Sequence, residues 1–148
     1  YISYQWKRGA GFDVLTYKGN GVVGRQISHN LSKIPEMIWI KQRSSTSNWV
    51  VYHKGLNGGT NPQNYYIYLD LNNAEGTSST YWDQTAPTAI NFTVGNVSDA
   101  NNTNQNYISM LFASVDLLLI RLVELEQQMQ IVMVKHTYIM LMRNLLNI

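Results

Sequence analysis

The chain has no cysteine in 148 residues, so it carries no disulfide scaffold, no thiolate zinc site and no thiol nucleophile. The redox compartment stays open for the same reason. Charge is scarce as well: 14% of the residues are charged, 11 Lys and Arg against 9 Asp and Glu, for a formal net charge of +2. The basic residues are spread along the chain and form no phosphate-neutralising stripe, which argues against a nucleic-acid partner. The one long apolar stretch, residues 117–148, is broken by Arg121, Glu124, Glu126, Lys135 and Arg143, so no membrane span is expected. The N-terminus shows neither an initiator Met nor a basic segment followed by an apolar one. Tyr1 reads as the middle of something, and the expectation is a fragment of a longer polypeptide.

Glycine and proline are missing from one part of the chain only. All ten glycines and all three prolines precede residue 117. There the sequence is rich in Gly, Asn, Ser, Thr and Tyr and breaks into short alternating runs: FDVLTY (12–17), RQISH (25–29), EMIWIKQ (36–42), NWVVYH (48–53), YYIYLD (65–70), INFTV (90–94) and YISMLFAS (107–114). Seven such runs, separated by segments such as KGNG, NGGTNP and NVSDANNTNQN, are the pattern of antiparallel β-structure. Strands this short bury one face against a second sheet, which predicts an antiparallel, jelly-roll-like β-sandwich over residues 12–116. The KGNG segment predicts a hairpin turn between the first two strands.

Residues 117–148 hold four of the six methionines. Leu118, Leu122, Leu125, Met129 and Val132 recur at heptad-like spacing and predict a helix, imperfect as a coiled coil because the same register admits His136 and Arg143 to its seam. The phrase Tyr-Ile-Ser occurs at residues 1–3 and again at 107–109. A tandem reading makes residues 1–11 the closing strand and linker of a preceding unit and 12–116 one complete module. The tail then departs from the expected continuation. Its codons, shifted to the third base, force Ala across Met129-Gln130 and Gly across Met133-Val134, so an out-of-frame reading of a following module is a second account of it; resequencing the coding DNA decides between them.

The strings WKRGAGFDVLTYKGNG, ISHNLSKIPEMIWIKQRSSTSNWVVYHKGL, GTSSTYWDQTAPTAINFTVG and YISMLFAS resemble an uncharacterised domain family of structural proteins from marine tailed phages. The resemblance covers about residues 4–116. It departs where Ser32, Lys33 and Ile34 precede Pro35-Glu36-Met37, and again in the tail. It implies tandem domains, often following concanavalin- or laminin-G-like sandwiches, in tail-fibre-like adhesins. It further implies location in the virion tail, other tail proteins or copies of the chain itself (a trimer included) as partners, and host-surface polysaccharide as a contact. It brings no established biochemical activity and no catalytic residue.

The residues themselves offer little for catalysis. His29 and His53 each end a predicted strand without a second ligand at metal-binding spacing, and they read as satisfied sheet-edge histidines. The carboxylates Asp13, Glu36, Asp70, Glu75, Asp83 and Asp99 show no pairing signal for glycoside hydrolysis. The loop VSDANNTNQN lacks the alternation of a calcium loop and reads as a solvated turn, and KGNGVVG opens no helix that would cradle phosphate. No metal or cofactor is expected. The aromatics are more informative, because stacking rings with Asn and Asp neighbours suit a sugar. Tyr66 and Tyr68 share one strand face and Tyr65 takes the other; Tyr81 and Trp82 lie between turn-rich segments, whereas Trp39 and Trp49 read as core. The ligand-binding candidates are therefore Tyr66, Tyr68, Tyr81, Trp82 and Asp99. The expectation is a non-catalytic adhesion module, with a carbohydrate-active enzyme and a purely structural spacer as the other readings.

Overall fold

A computed structural model describes residues 5–9, 11–115, 125–136, 138 and 139. The chain divides into two compact units, Tyr1–Ser114 and Val115–Ile148. In the first unit the strands are β1 (Phe12–Lys18), β2 (Arg25–Ser28), β3 (Met37–Gln42), β4 (Val50–His53), β5 (Tyr65–Tyr68), β6 (Gly76–Thr77), β7 (Asn91–Val94) and β8 (Asn106–Phe112). All seven alternating runs are strands, and β6 is an eighth that the sequence pattern is too short to announce. Two 3-10 turns, Leu56–Gly59 and Pro62–Asn64, precede β5, and a one-turn helix, α1 (Ser98–Asn101), precedes β8.

The fold is an antiparallel β-sandwich. One sheet has six strands in the order β1-β8-β3-β4-β5-β6, and the second pairs β2 with β7. First strand beside last, and second beside second-to-last, is the nested wrapping of a jelly roll. Here β4 and β5 extend the large sheet instead of crossing to the small one. Alternation along β8 shows how the core is made: Tyr107, Ser109 and Leu111 are buried while Ile108, Met110 and Phe112 are half-buried on the opposite face. Ile38 and Ile40 of β3, Val50 and Tyr52 of β4, Ile27 of β2, and Phe92 and Val94 of β7 complete a single core cluster.

The predicted KGNG hairpin is not one. β1 and β2 lie in different sheets, so the segment is a corner that carries the chain from one layer to the other. A Cβ on Gly19 would stand 2.1 Å from the carbonyl oxygen of Asn102, so the corner is pressed against the loop after α1. The expected solvated turn VSDANNTNQN is one only in its second half: residues 102–104 are exposed, whereas the first half is α1, with Ala100 and Asn101 buried. Asn101 is fully buried, its Nδ2 donating to Asn20 Oδ1 at 3.2 Å and to the Val22 carbonyl at 2.9 Å, while its Oδ1 accepts from the Asn20 N–H at 3.1 Å. Buried amide groups need partners, and the corner's backbone supplies them.

Trp39 and Trp49, expected in the core, are half-buried instead. In the register, Trp39 lies opposite Met110, so it stands on the outer face of the large sheet. There Trp6, Phe12, Val14, Trp39, Met110 and Phe112 line a shallow apolar cavity of ≈ 330 Å³. Trp6 packs edge-on against Phe12 at 5.0 Å and Phe112 at 5.3 Å. The Tyr-Ile-Ser copy at residues 1–3 lies outside the described residues. In the second unit, residues 125–136 are helical, in agreement with the heptad pattern over that stretch, and Leu118, Leu122 and Arg143 fall outside the described residues. Among the described residues no helix is long and apolar enough to cross a membrane.

Candidate functional site

Four of the five residues singled out from the sequence meet in one cluster. Tyr66 and Tyr68 point inward from β5, where Tyr66 stacks at a tilt 4.4 Å from Tyr81 and lies 5.2 Å from Tyr68. The Tyr81 hydroxyl donates to Asp99 Oδ2 at 2.9 Å, and it lies 2.7 Å from the Tyr68 hydroxyl. A hydroxyl has one proton, so Tyr68 is the donor in that second bond. Ser47 donates to the other oxygen of Asp99 at 2.5 Å. The chain Tyr68 to Tyr81 to Asp99 is thus satisfied within itself. Burial, then the bonds to Tyr68 and Asp99, push the Tyr81 phenol far up from its ordinary range, so it is no base or nucleophile at neutral pH.

Trp82 is separate from this cluster. Its ring is 2% exposed and meets Tyr52 edge-on at 5.7 Å in the core. Its indole N–H donates to the Tyr65 carbonyl at 3.0 Å. It offers no stacking surface to a ligand and instead holds the backbone of Tyr65 in place.

That bond matters because Tyr65 lines a cavity that the sequence pattern had not marked. Asn57, Asn61, Asn64, Tyr65, Thr77, Ser78, Ser79 and Gln84 surround a space of ≈ 460 Å³, within the size range of small-molecule sites. Its walls come from unusual backbone. Asn57 and Asn61 have φ of 51° and 48°, the left-handed region that Asn tolerates better than most residues. Pro62 then opens the second 3-10 turn, where its missing N–H costs nothing. Across from them Gln84 lines the cavity with φ of 52°, Asp83 before it has φ of 48°, and the Thr85 N–H closes onto the Trp82 carbonyl at 3.0 Å. Left-handed conformation at both central positions is the geometry of a type I′ turn, for which Gln is a poor choice. Among the described residues, four of the six non-glycine residues with positive φ are at this cavity or beside it. Strain of this kind gathers at functional sites.

The cavity's polar groups are also unspent. The side chains of Asn61, Thr77, Ser79 and Gln84 are exposed and make no hydrogen bond within the described residues, and the buried Oδ1 of Asn64 has no partner there either. Asn57 is fixed by comparison, its Nδ2 donating to the Thr60 carbonyl at 2.8 Å and its N–H to Glu75 Oε2 at 3.0 Å. Opposite β5, the ring of Tyr66 lies over Gly76, where a Cβ would be 2.8 Å from the ring, so this glycine lets β6 pair with β5 and bring Thr77 to the cavity. The signal for this cavity in the sequence is the run NGGTNPQN, whose asparagines read by composition as turn formers alone. They form the turns, and the turns also aim their amides.

His29 and His53 are engaged by hydrogen bonds within the fold. The Leu31 N–H donates to His29 Nδ1 at 3.3 Å, leaving Nε2 to donate to the Thr88 carbonyl at 3.2 Å. Burial holds the His29 pKa below its ordinary 6.5. Beside it, burial works against the Asp13 carboxylate, but Arg8 at 2.6 Å and the Asn30 and Val14 N–H groups outweigh it and hold the pKa below 3.8. His53 is exposed and accepts the Gly55 N–H at 3.0 Å. Among the described residues no group of three or more His, Asp or Glu stands ready to hold a metal ion.

No curated protein and no solved structure matches the chain. Residues 4–117, more than three quarters of the chain and all eight strands, match the family described as Domain of unknown function (DUF7483), and the chain belongs to that family.

Proposed function

We propose that the β-unit is a non-catalytic adhesion module that binds saccharide in the cavity bounded by Asn57, Asn61, Tyr65 and Gln84. The observation that carries this reading is the set of amide and hydroxyl groups, exposed and without hydrogen-bond partners among the described residues, around the half-buried Tyr65 and the buried, unpartnered Oδ1 of Asn64. A sugar ring presents hydroxyls that need donors and acceptors and a C–H face that suits an aromatic ring. The resemblance of its motif strings to tailed-phage structural proteins supports a tail-fibre-like virion protein as the setting of the module, with copies of itself or other tail proteins as partners. A single open site of this kind binds weakly, and repeated copies raise the avidity through effective concentration. The test is a glycan array followed by calorimetry with wild type and with Asn61→Ala, Gln84→Ala and Tyr65→Ala. Each substitution is expected to weaken binding about tenfold, the loss of one or two hydrogen bonds or of a ring contact. Glycans that bind all four proteins equally, or no bound glycan at all, would end this reading.

A further inference from the structure

The charge around the cavity narrows the class of sugar. Among the described residues that line it there is no Lys, Arg or His. The charged group bonded to its wall is Glu75, whose Oε2 accepts the N–H of Asn57 at 3.0 Å. Lys54, the cation nearest along the chain to the Asn57 turn, is engaged with Glu36 Oε1 at 2.7 Å. A uronate, sialate or sulfate entering this space would shed part of its hydration shell, meet amides and hydroxyls with no Lys, Arg or His among the described lining residues, and approach a wall to which the exposed Glu75 carboxylate is bonded. Burial of an anion without a cationic partner is disfavoured, and a like charge adds to the cost. From this, resting on the saccharide reading of the cavity, we infer that the site selects uncharged sugars and rejects acidic ones, with Glu75 as a determinant of that selection. Adhesion by this module is then directed to neutral surface polysaccharide, and acidic capsular polymers are not its target.

Matched probes test this with the full chain. Mannohexaose is compared with hexamannuronate, and the gluco and galacto pairs likewise, so that each pair differs by the carboxylates at C6. The neutral member of the pair that binds is expected to bind about tenfold more tightly than its uronate, the penalty of one like-charge contact at a partly exposed site. Glu75 is exposed, and Glu75→Gln keeps an acceptor for the Asn57 N–H while removing the charge. It is expected to narrow the neutral-to-acidic ratio several-fold. Added salt is expected to narrow the ratio in the wild type and to change it less in the variant. A uronate that binds as tightly as its neutral partner overturns the inference and leaves the saccharide reading standing. A ratio that neither Glu75→Gln nor salt moves overturns the role of Glu75. Absence of binding by either series removes both the saccharide reading and the inference built on it.

Discussion

Single residues in this protein are decided by where their polar atoms go. His29 illustrates the point: it is 7% exposed, both ring nitrogens are engaged, and protonation at Nδ1 would cost the bond from Leu31. Its folded pKa lies below the unfolded value of 6.5, so the unfolded chain takes up this proton first as the pH falls. The contribution is complete above the unfolded pKa and is lost as the pH drops from there toward the folded one. Asp13 acts lower, because its depressed pKa contributes stability above about 3.8 that is lost only in stronger acid. Urea midpoints measured between about pH 7.5 and 5 therefore isolate the histidine, and the wild type is expected to lose stability across that window while His29→Gln loses much less. Equal slopes in the two proteins would show that His29 is not the group responsible.

Elements show which contacts were readable from pattern alone. Strand positions follow from alternation, a property of about five consecutive residues. The partner of each strand does not, because it is set by distant segments. The KGNG segment has the composition of a hairpin turn, yet it is a corner because β1 finds β8 and β2 finds β7. The reason lies in loop 101–104, which fills the space beside Gly19 and Asn20 and binds them. Substitution Gly19→Ala puts a methyl group against the Asn102 carbonyl, a backbone atom that cannot swing away. The expected loss is about 1–3 kcal/mol of unfolding free energy, the range for overpacking at a closed site. An unchanged denaturant midpoint would mean that the corner and the loop are not locked together.

At the scale of the β-unit, two stacked tyrosines tie α1 to the large sheet. The rings of Tyr17 and Tyr107 lie 5.1 Å apart at 14°, and their hydroxyls donate to the carbonyls of Ala100 and Ser98, each at 2.6 Å. Burial raises the pKa of both phenols, and of Tyr81, above the ordinary 10.0. A raised folded pKa means that the stabilisation is complete below 10 and is lost as the pH climbs beyond it, when the unfolded chain ionises more readily than the folded one. Thermal midpoints are expected to hold up to about pH 10 and then fall steeply, with these tyrosines ionising only as the unit unfolds. Free titration of all the tyrosines before unfolding would contradict their placement in the core.

Local chemistry along the chain was enough to establish the mainly β class, the places of seven strands, the change of character after residue 116 and the absence of thiol chemistry. Each depends on composition or on a short period, which neighbours in sequence report by themselves. It was not enough to tell Trp82 from Trp39. One indole is in the core and the other on the outer face, although Trp39 lies in the more apolar run, because burial depends on which face meets the small sheet. Tertiary structure alone brought Tyr66, Tyr68, Tyr81 and Asp99 into one cluster, in which Tyr66 packs through its ring while Tyr68, Tyr81 and Asp99 are hydrogen-bonded in a chain. It also drew Asn61, Thr77 and Gln84 together from three separate loops and strands, leaving their exposed polar groups without hydrogen-bond partners among the described residues around one cavity. Which donors stay free is a property of the whole packing, since a hydrogen bond is spent by whatever the fold places beside it.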